Sequence, residues 1–266
     1  MRRTVRFLSE LCITVGVLII LFVVHVVFWT GIQAADAADA ELARLEDRWA
    51  QGRIESRAPP APASAVPPKA SADPAPGAVP TPGGEPSTAP ERPRGTTQAP
   101  PATRGPAAAL RAGEPFAVMY IPRFGRGWDW PVLEGTAVAT LKKGLGHYRS
   151  TARPGERGNI AVAGHRRTYG DPFKDMPRLR PGDAIVLTDG TTWYTYRVAR
   201  RPFRTVPSDI GVVDPVPRGS PFTRPGRYLT LTTCEPEWGS SHRLIVWARL
   251  AGTRAVTDGK PEALLS

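Results

Sequence analysis

Three side chains near the C-terminal half of this 266-residue chain are of types that together make and break acyl bonds. Cys234 closes the β-branched run TLTTC, Arg243 follows nine positions later in HRLIVWARL, and His165 closes NIAVAGH. A thiol is a good nucleophile toward a peptide carbonyl, because its thiolate is far more accessible at neutral pH than an alkoxide. An imidazole beside it protonates a leaving amine, and a fixed guanidinium stabilises the oxyanion or holds the substrate backbone. Each residue taken singly has a structural alternative. A lone Cys is more often a small buried hydrophobe, and His147 and His242 compete with His165 for any role in catalysis. Spacing alone leaves that choice open.

These residues need rigid elements to position them. From Phe116 onward the chain reads as short apolar runs bounded by Gly, Pro and Asp. Strands are expected at 116–124, 128–135, 159–165, 183–190, 192–203, 227–234 and 242–250, with Asp189-Gly190 as a hairpin turn. Short helices are expected at Ala139–His147 and at Pro172–Leu179, the second with Asp171 as N-cap. Seven or eight short strands with little helix predict an all-β domain, a closed or nearly closed barrel. Cys234, Arg243 and His165 all fall at strand ends, where loops open toward solvent.

The rest of the chain sets the compartment. Leu11 to Thr30 holds twenty residues without a formal charge, enough for one transmembrane helix. Arg2, Arg3 and Arg6 precede it and acidic residues follow, which predicts a single-pass membrane protein with residues 1–10 cytoplasmic and the remainder outside the cell. Residues 31–50 keep a helical stripe of Leu42, Leu45 and Trp49, an extracytoplasmic extension. Residues 51–113 contain no aromatic residue and include the whole of a block, Pro59–Pro106, that holds 15 of the 30 prolines. Such a stretch is expected to be a disordered linker. The folded domain is then 114–251, with 252–266 a C-terminal tail. The chain carries a formal charge of +11, and Glu114–Ser266 alone holds 23 Lys and Arg against 14 Asp and Glu. That favours anionic surfaces such as lipid headgroups and wall polymers; no nucleic-acid module is recognisable. Only Cys12 and Cys234 are present, one in the apolar run and one in the domain, so they cannot pair within one molecule.

Two segments resemble one family. TLTTCEPEWGSSHRLIVWARL (Thr230–Leu250) is similar to the sortase signature, a TLxTC strand, a short loop and an Arg-led strand. NIAVAGHRRTYGDPFKDMPRLRPGDAIVL (Asn159–Leu187) resembles the histidine region of the same family, and the order His, Cys, Arg agrees. With GLGHYRSTARPGERGN (Gly144–Asn159) the chain looks most like class E sortases of GC-rich Gram-positive bacteria. The resemblance implies a closed eight-stranded sortase-type β-barrel and a cysteine transpeptidase. Cys234 would be the nucleophile, His165 the general acid and base, and Arg243 the stabiliser of oxyanion or substrate. Tyr148, Tyr169, Thr233 and Glu235 would contact substrate. The implied partners are secreted proteins bearing a C-terminal LPxTG- or LAxTG-type sorting signal, cut between Thr and Gly. The acceptor would be an amino group of the peptidoglycan precursor lipid II. No metal or organic cofactor is implied. Glu235 departs from what is expected after the nucleophile, and a carboxylate there would raise the thiol pKa or alter selection of the amine. An L,D-transpeptidase would need Arg closer behind Cys, a papain-like hydrolase a helix-borne Cys ahead of its His, and a tethered adhesin would tolerate loss of Cys234.

Overall fold

The computed structural model describes residues 2–57 and 110–265, and the side chains at 2–5, 8–9, 26–31 and 53–57 lie outside that description. Most of the expected linker, 58–109, also lies outside the described residues. One helix, α1 (Arg2–Arg57), runs without a break through the apolar stretch and the 31–50 extension. Its apolar side chains at 11–25 face outward, among them Ile13, Ile20 and Phe22. Among the described residues no helix is long and apolar enough to cross a membrane. Five positions of the expected span, 26–30, fall among the undescribed side chains. Further along, Ala34, Ala38, Glu41 and Leu45 are buried. Their spacing of three and four is one helix face, and the stripe expected from Leu42, Leu45 and Trp49 includes only Leu45 of this buried set.

Among the described residues nine strands follow: β1 (Pro115–Tyr120), β2 (Asp129–Glu134), β3 (Leu145–His147), β4 (Gly158–Ala163), β5 (Ala184–Thr188), β6 (Thr192–Val198), β7 (Phe203–Thr205), β8 (Arg227–Glu235) and β9 (His242–Ala255). They form one sheet in the order β6-β5-β1-β2-β3-β4-β8-β9-β7, and β6 also pairs with β9. That extra pairing closes a ring of eight strands; β7 is a ninth, laid along β9. Closure leaves the eight ring strands paired on both sides, and the interior is packed rather than open. Met119, Val132, Ile160, Val162, Leu187, Leu229, Leu231 and Val246 fill it, all but fully buried.

Several local expectations change. Residues 139–147 form only a single helical turn, α2 (Val138–Leu141), before β3 begins. Gly144 and Gly146 explain this: a Cβ on either would lie 2.7 or 2.6 Å from a backbone oxygen of the neighbouring strand region. The bare backbone is needed to press β3 against β2. The segment 172–179 holds only a 3₁₀ turn, Met176–Arg178, because Pro177 interrupts the backbone bonds of a longer helix. Asp171 does not cap it; its φ is +53°, in the left-handed region. The strand expected over 192–203 breaks after Val198, and the strand expected to stop at Leu250 continues to Ala255 along β6.

β8 and β9 are buried on both faces, and this makes them a stiff platform. One face points into the barrel; the other, with Tyr228, Ile245 and Trp247, is covered by Val212 and Phe222 from the long β7–β8 connection. Trp247 Nε1 donates to the Val212 carbonyl at 3.2 Å, so the cover is tied down as well as packed. The β5–β6 hairpin is fixed by Asp189, whose carboxylate accepts from the Thr191 and Thr192 amides and from the Tyr194 hydroxyl. Burial works against its ionisation, but these donors prevail and hold its pKa below the usual carboxylate value. A depressed carboxylate stabilises above its unfolded pKa and loses that contribution as pH falls through the folded value. Asp189→Asn is therefore expected to flatten the acid limb of a stability–pH curve followed by thermal melts.

Candidate active site

Cys234 and Arg243 are direct partners across the β8–β9 ladder. Cross-strand partners put their side chains on the same face, with Cβ atoms about 4.5–5.5 Å apart. Alternation along β8 gives that face Tyr228, Thr230, Thr232 and Cys234, the outer surface under the β7–β8 connection. The nine-residue spacing between Cys and Arg follows from this symmetric hairpin. Arg243 Nη1 donates to the Ser240 and His242 carbonyls, each at 2.9 Å. The strand and its own turn thus steady the guanidinium. Cys234 itself is half-buried and unpaired.

His165 is brought level with Cys234 by contacts on either side of it. β4 runs parallel to β8, ending at the pair Ala163 and Thr232. The ladder goes one step further, with the Gly164 amide donating to the Thr232 carbonyl at 3.1 Å. Thr233 Oγ1 donates to the Gly164 carbonyl at 2.8 Å. On the other side Arg166 Nη1 donates to the Cys234 carbonyl at 3.3 Å and pairs with the Glu235 carboxylate. His165 Nε2 is buried with no hydrogen-bond partner among the described residues. The other histidines are engaged elsewhere. His147 is buried, with Nδ1 2.9 Å from Glu134 Oε2 and Nε2 at 3.0 Å from both the Ala152 carbonyl and Thr151 Oγ1. His242 Nδ1 contacts Arg204 and Ser241 at the surface.

Burial lowers the His165 pKa below its ordinary 6.5; Asp171 acts to raise it and Lys142 to lower it further. The imidazole is thus held mainly neutral at neutral pH. A lowered folded pKa contributes stability above the unfolded value that is lost as pH falls through the folded one. Lys142→Gln is expected to raise the His165 pKa and Asp171→Asn to lower it, read from the imidazole C–H resonances in an NMR titration. Asn suits position 171 because it tolerates positive φ. Shifts in the same direction for both variants would rule out this electrostatic account.

The remaining expected residues separate. Tyr148 Oη lies 3.1 Å from Thr232 Oγ1, on the face of Cys234. The Tyr169 ring is 5.0 Å from the His165 ring, with Lys142 Nζ 5.2 Å from its centre. Thr233 is on the opposite face of β8, buried, with its hydroxyl donating to the Gly164 carbonyl. Glu235 is not a lone charge beside the thiol, since Arg166 is paired with it. Arg166 and Trp238 were not foreseen. Arg166 is buried, one of 35 basic residues with no sequence signal apart from its place beside His165. Trp238, in the β8–β9 turn, is exposed, and Arg167 lies 4.4 Å from its ring centre. A groove of about 720 Å³ that includes Arg224, Arg227 and Arg249 lies at the other end of β8 and contains neither thiol nor imidazole. Among the described residues no group of three His, Cys, Asp or Glu is placed to hold a metal.

A half-buried thiol, an arginine opposite it and a histidine held level with it, on the flank of a closed barrel, are the groups that cysteine acyl-transfer chemistry requires. Residues 119–251 match the Sortase domain, and the chain belongs to the sortase family of cysteine transpeptidases. It is 34% identical to Sortase SrtE1 of Streptomyces coelicolor over 268 residues, covering 98% of this chain and 61% of that protein. Sortase E from Streptomyces avermitilis is 67% identical over 58% of this chain and 99% of its own, with a TM-score of 0.55. Sortase E1 from Streptomyces coelicolor, solved with a tripeptide in the active site, is 40% identical over 57% and 97%, with a TM-score of 0.54. The similarity to class E read from the sequence agrees with these relatives.

Proposed function

We propose that this chain is a membrane-anchored class E sortase. In this reading it cuts the Thr–Gly bond of an LPxTG- or LAxTG-type C-terminal sorting signal and transfers the protein to an amine of lipid II. The observation that carries it is the in-register pairing of Cys234 with Arg243 beside the constrained His165. The thiolate of Cys234 attacks the Thr carbonyl carbon, and the oxyanion is met by the Arg243 guanidinium. The C–N bond breaks as protonated His165 gives its proton to the departing glycine nitrogen, leaving a thioester on Cys234. Neutral His165 then takes a proton from the incoming amine as that nitrogen displaces the thiolate. Acylation needs the proton on an imidazole whose burial disfavours it. Tyr148 and Tyr169 border the peptide. A tripeptide in the active site of the Streptomyces coelicolor relative supports a peptide substrate. The outward apolar side chains at 11–25 support anchoring, with the N-terminus cytoplasmic and the barrel outside.

The test uses the full chain in detergent with fluorogenic LPxTG- and LAxTG-type peptides and an amine acceptor. Cleavage with a thioester adduct on Cys234 by mass spectrometry is the expected result. No turnover of either peptide above the Cys234→Ala background would end the sorting assignment.

A further inference from the structure

The barrel is not free to present its site in any direction, because α1 lies along its side in a fixed sense. Strands β4 and β8 run toward the Cys234 end. β3, antiparallel to β4, therefore starts at that end, two residues after Lys143. β1 has the direction of β4, so Pro115 and the β5–β6 hairpin with Gly190 lie toward the opposite end. Against these landmarks α1 makes three contacts. Glu41, its side chain 5% exposed, is 3.1 Å from Lys143 Nζ and 3.1 Å from Arg44 Nη1. Arg48 donates to Glu114 Oε1 at 2.7 Å and to the Pro115 carbonyl. Trp49 covers Gly190 so closely that a Cβ there would meet the indole at 2.4 Å. Residue 41 thus sits at the Cys234 end and residues 48–49 toward the far end. The helix descends the barrel with its N-terminal side leading from the Cys234 end.

The apolar stretch of the same continuous helix ends at residue 30, about 17 Å before Glu41 at 1.5 Å per residue. We infer that α1 docks on the barrel so as to turn the Cys234 end toward the membrane, and that the rim of this end is a bilayer-contact surface. This rests on the anchoring proposed above. The rim has the side chains for it. Three of the five large apolar residues exposed outside α1 among the described residues lie there: Trp238 leaves the β8–β9 turn, and Val206 and Ile210 follow β7, whose last residue Thr205 pairs with Arg243. Trp238 with Arg167 against its ring is an aromatic–cation pair of the kind that suits the headgroup layer. The arginine-lined groove at 224–228 faces away from the bilayer in this arrangement.

Full-length protein in a Cys12→Ala/Cys234→Ala background tests this in vesicles of phosphatidylcholine and phosphatidylglycerol carrying a headgroup acceptor dye. A donor dye is placed at Trp238→Cys or at Arg224→Cys. Seven strand residues, about 23 Å, separate the two ends along β8, so transfer from position 238 is expected to exceed that from 224 at least about twofold. Equal or reversed transfer in vesicle-bound protein overturns the inference and leaves anchoring intact. Failure to float with vesicles overturns anchoring and the inference with it. In the same background a short bismaleimide is expected to link Glu41→Cys to Lys143→Cys within one chain; no link would show the helix undocked and overturn the inference.

Discussion

Cys234→Ala is expected to reduce peptide cleavage and acyl-adduct formation by on the order of 10⁴-fold or more, to background. In the proposed reaction Cys234 is the nucleophile, and the barrel domain contains no second thiol to replace it. Arg243 is a guanidinium with no free lone pair to attack with, and His165, with its lowered pKa, offers a nitrogen suited to proton transfer. The structural cost should be small. Cys234 is half-buried near the end of β8, and its backbone bonds to β9 do not depend on the side chain. Melting temperature close to wild type with adducts absent from the mass spectrum is the expected pair of results. Cleavage surviving at more than a few per cent of wild type would place the chemistry elsewhere.

The second large effect is expected at Arg166 and Glu235, whose side chains are 8% and 23% exposed. Removing one partner of a buried ion pair leaves an uncompensated charge, at about 3–5 kcal/mol in well-buried cases. The partial exposure of Glu235 moderates this, so about 2–4 kcal/mol is expected for either Arg166→Ala or Glu235→Ala. For a domain of this size that lowers Tm by roughly 2–4 °C per kcal/mol. The two are in contact, so the double variant should fall short of the sum. Additive losses in a calorimetric cycle would show that the pair is not coupled. Arg166→Ala carries a further consequence, because the same guanidinium holds the Cys234 carbonyl. It is expected to lower kcat/KM beyond what Glu235→Ala does, while Arg166→Lys recovers part of the loss.

Much of this site is legible in the residue pattern, for a physical reason. A period of two is robust over β8 and β9, where both faces are buried and Thr, Leu, Ile and Val alternate. A tight turn between them then forces Cys234 opposite Arg243. The same alternation puts Thr233 on the other face from Cys234, a signal available before any coordinates. His165 required the family resemblance, since three histidines lie near strands and periodicity does not rank them. Arg166 was not legible at all. Its importance comes from the parallel pairing of β4 with β8, which joins residues 68 positions apart. β3 escaped because a three-residue strand with a central glycine has no pattern to read. Ring closure by eight strands was expected, but not the ninth strand, because the expected 192–203 strand leaves the ladder after the Ala199–Trp247 bond and rejoins β9 only at Phe203–Thr205.

The extended β9 also decides where the folding unit can be cut. Thr192–Thr195 pair with Gly252–Ala255, and Ala263 and Leu264 pack on Ala184, Val186 and Trp193. A chain stopped at Leu250 would leave half of β6 with bare amides and carbonyls and uncover apolar side chains beside them. That is a template for another molecule's strand, and such a fragment would be prone to self-association. Solubility, not turnover, would be the first thing lost.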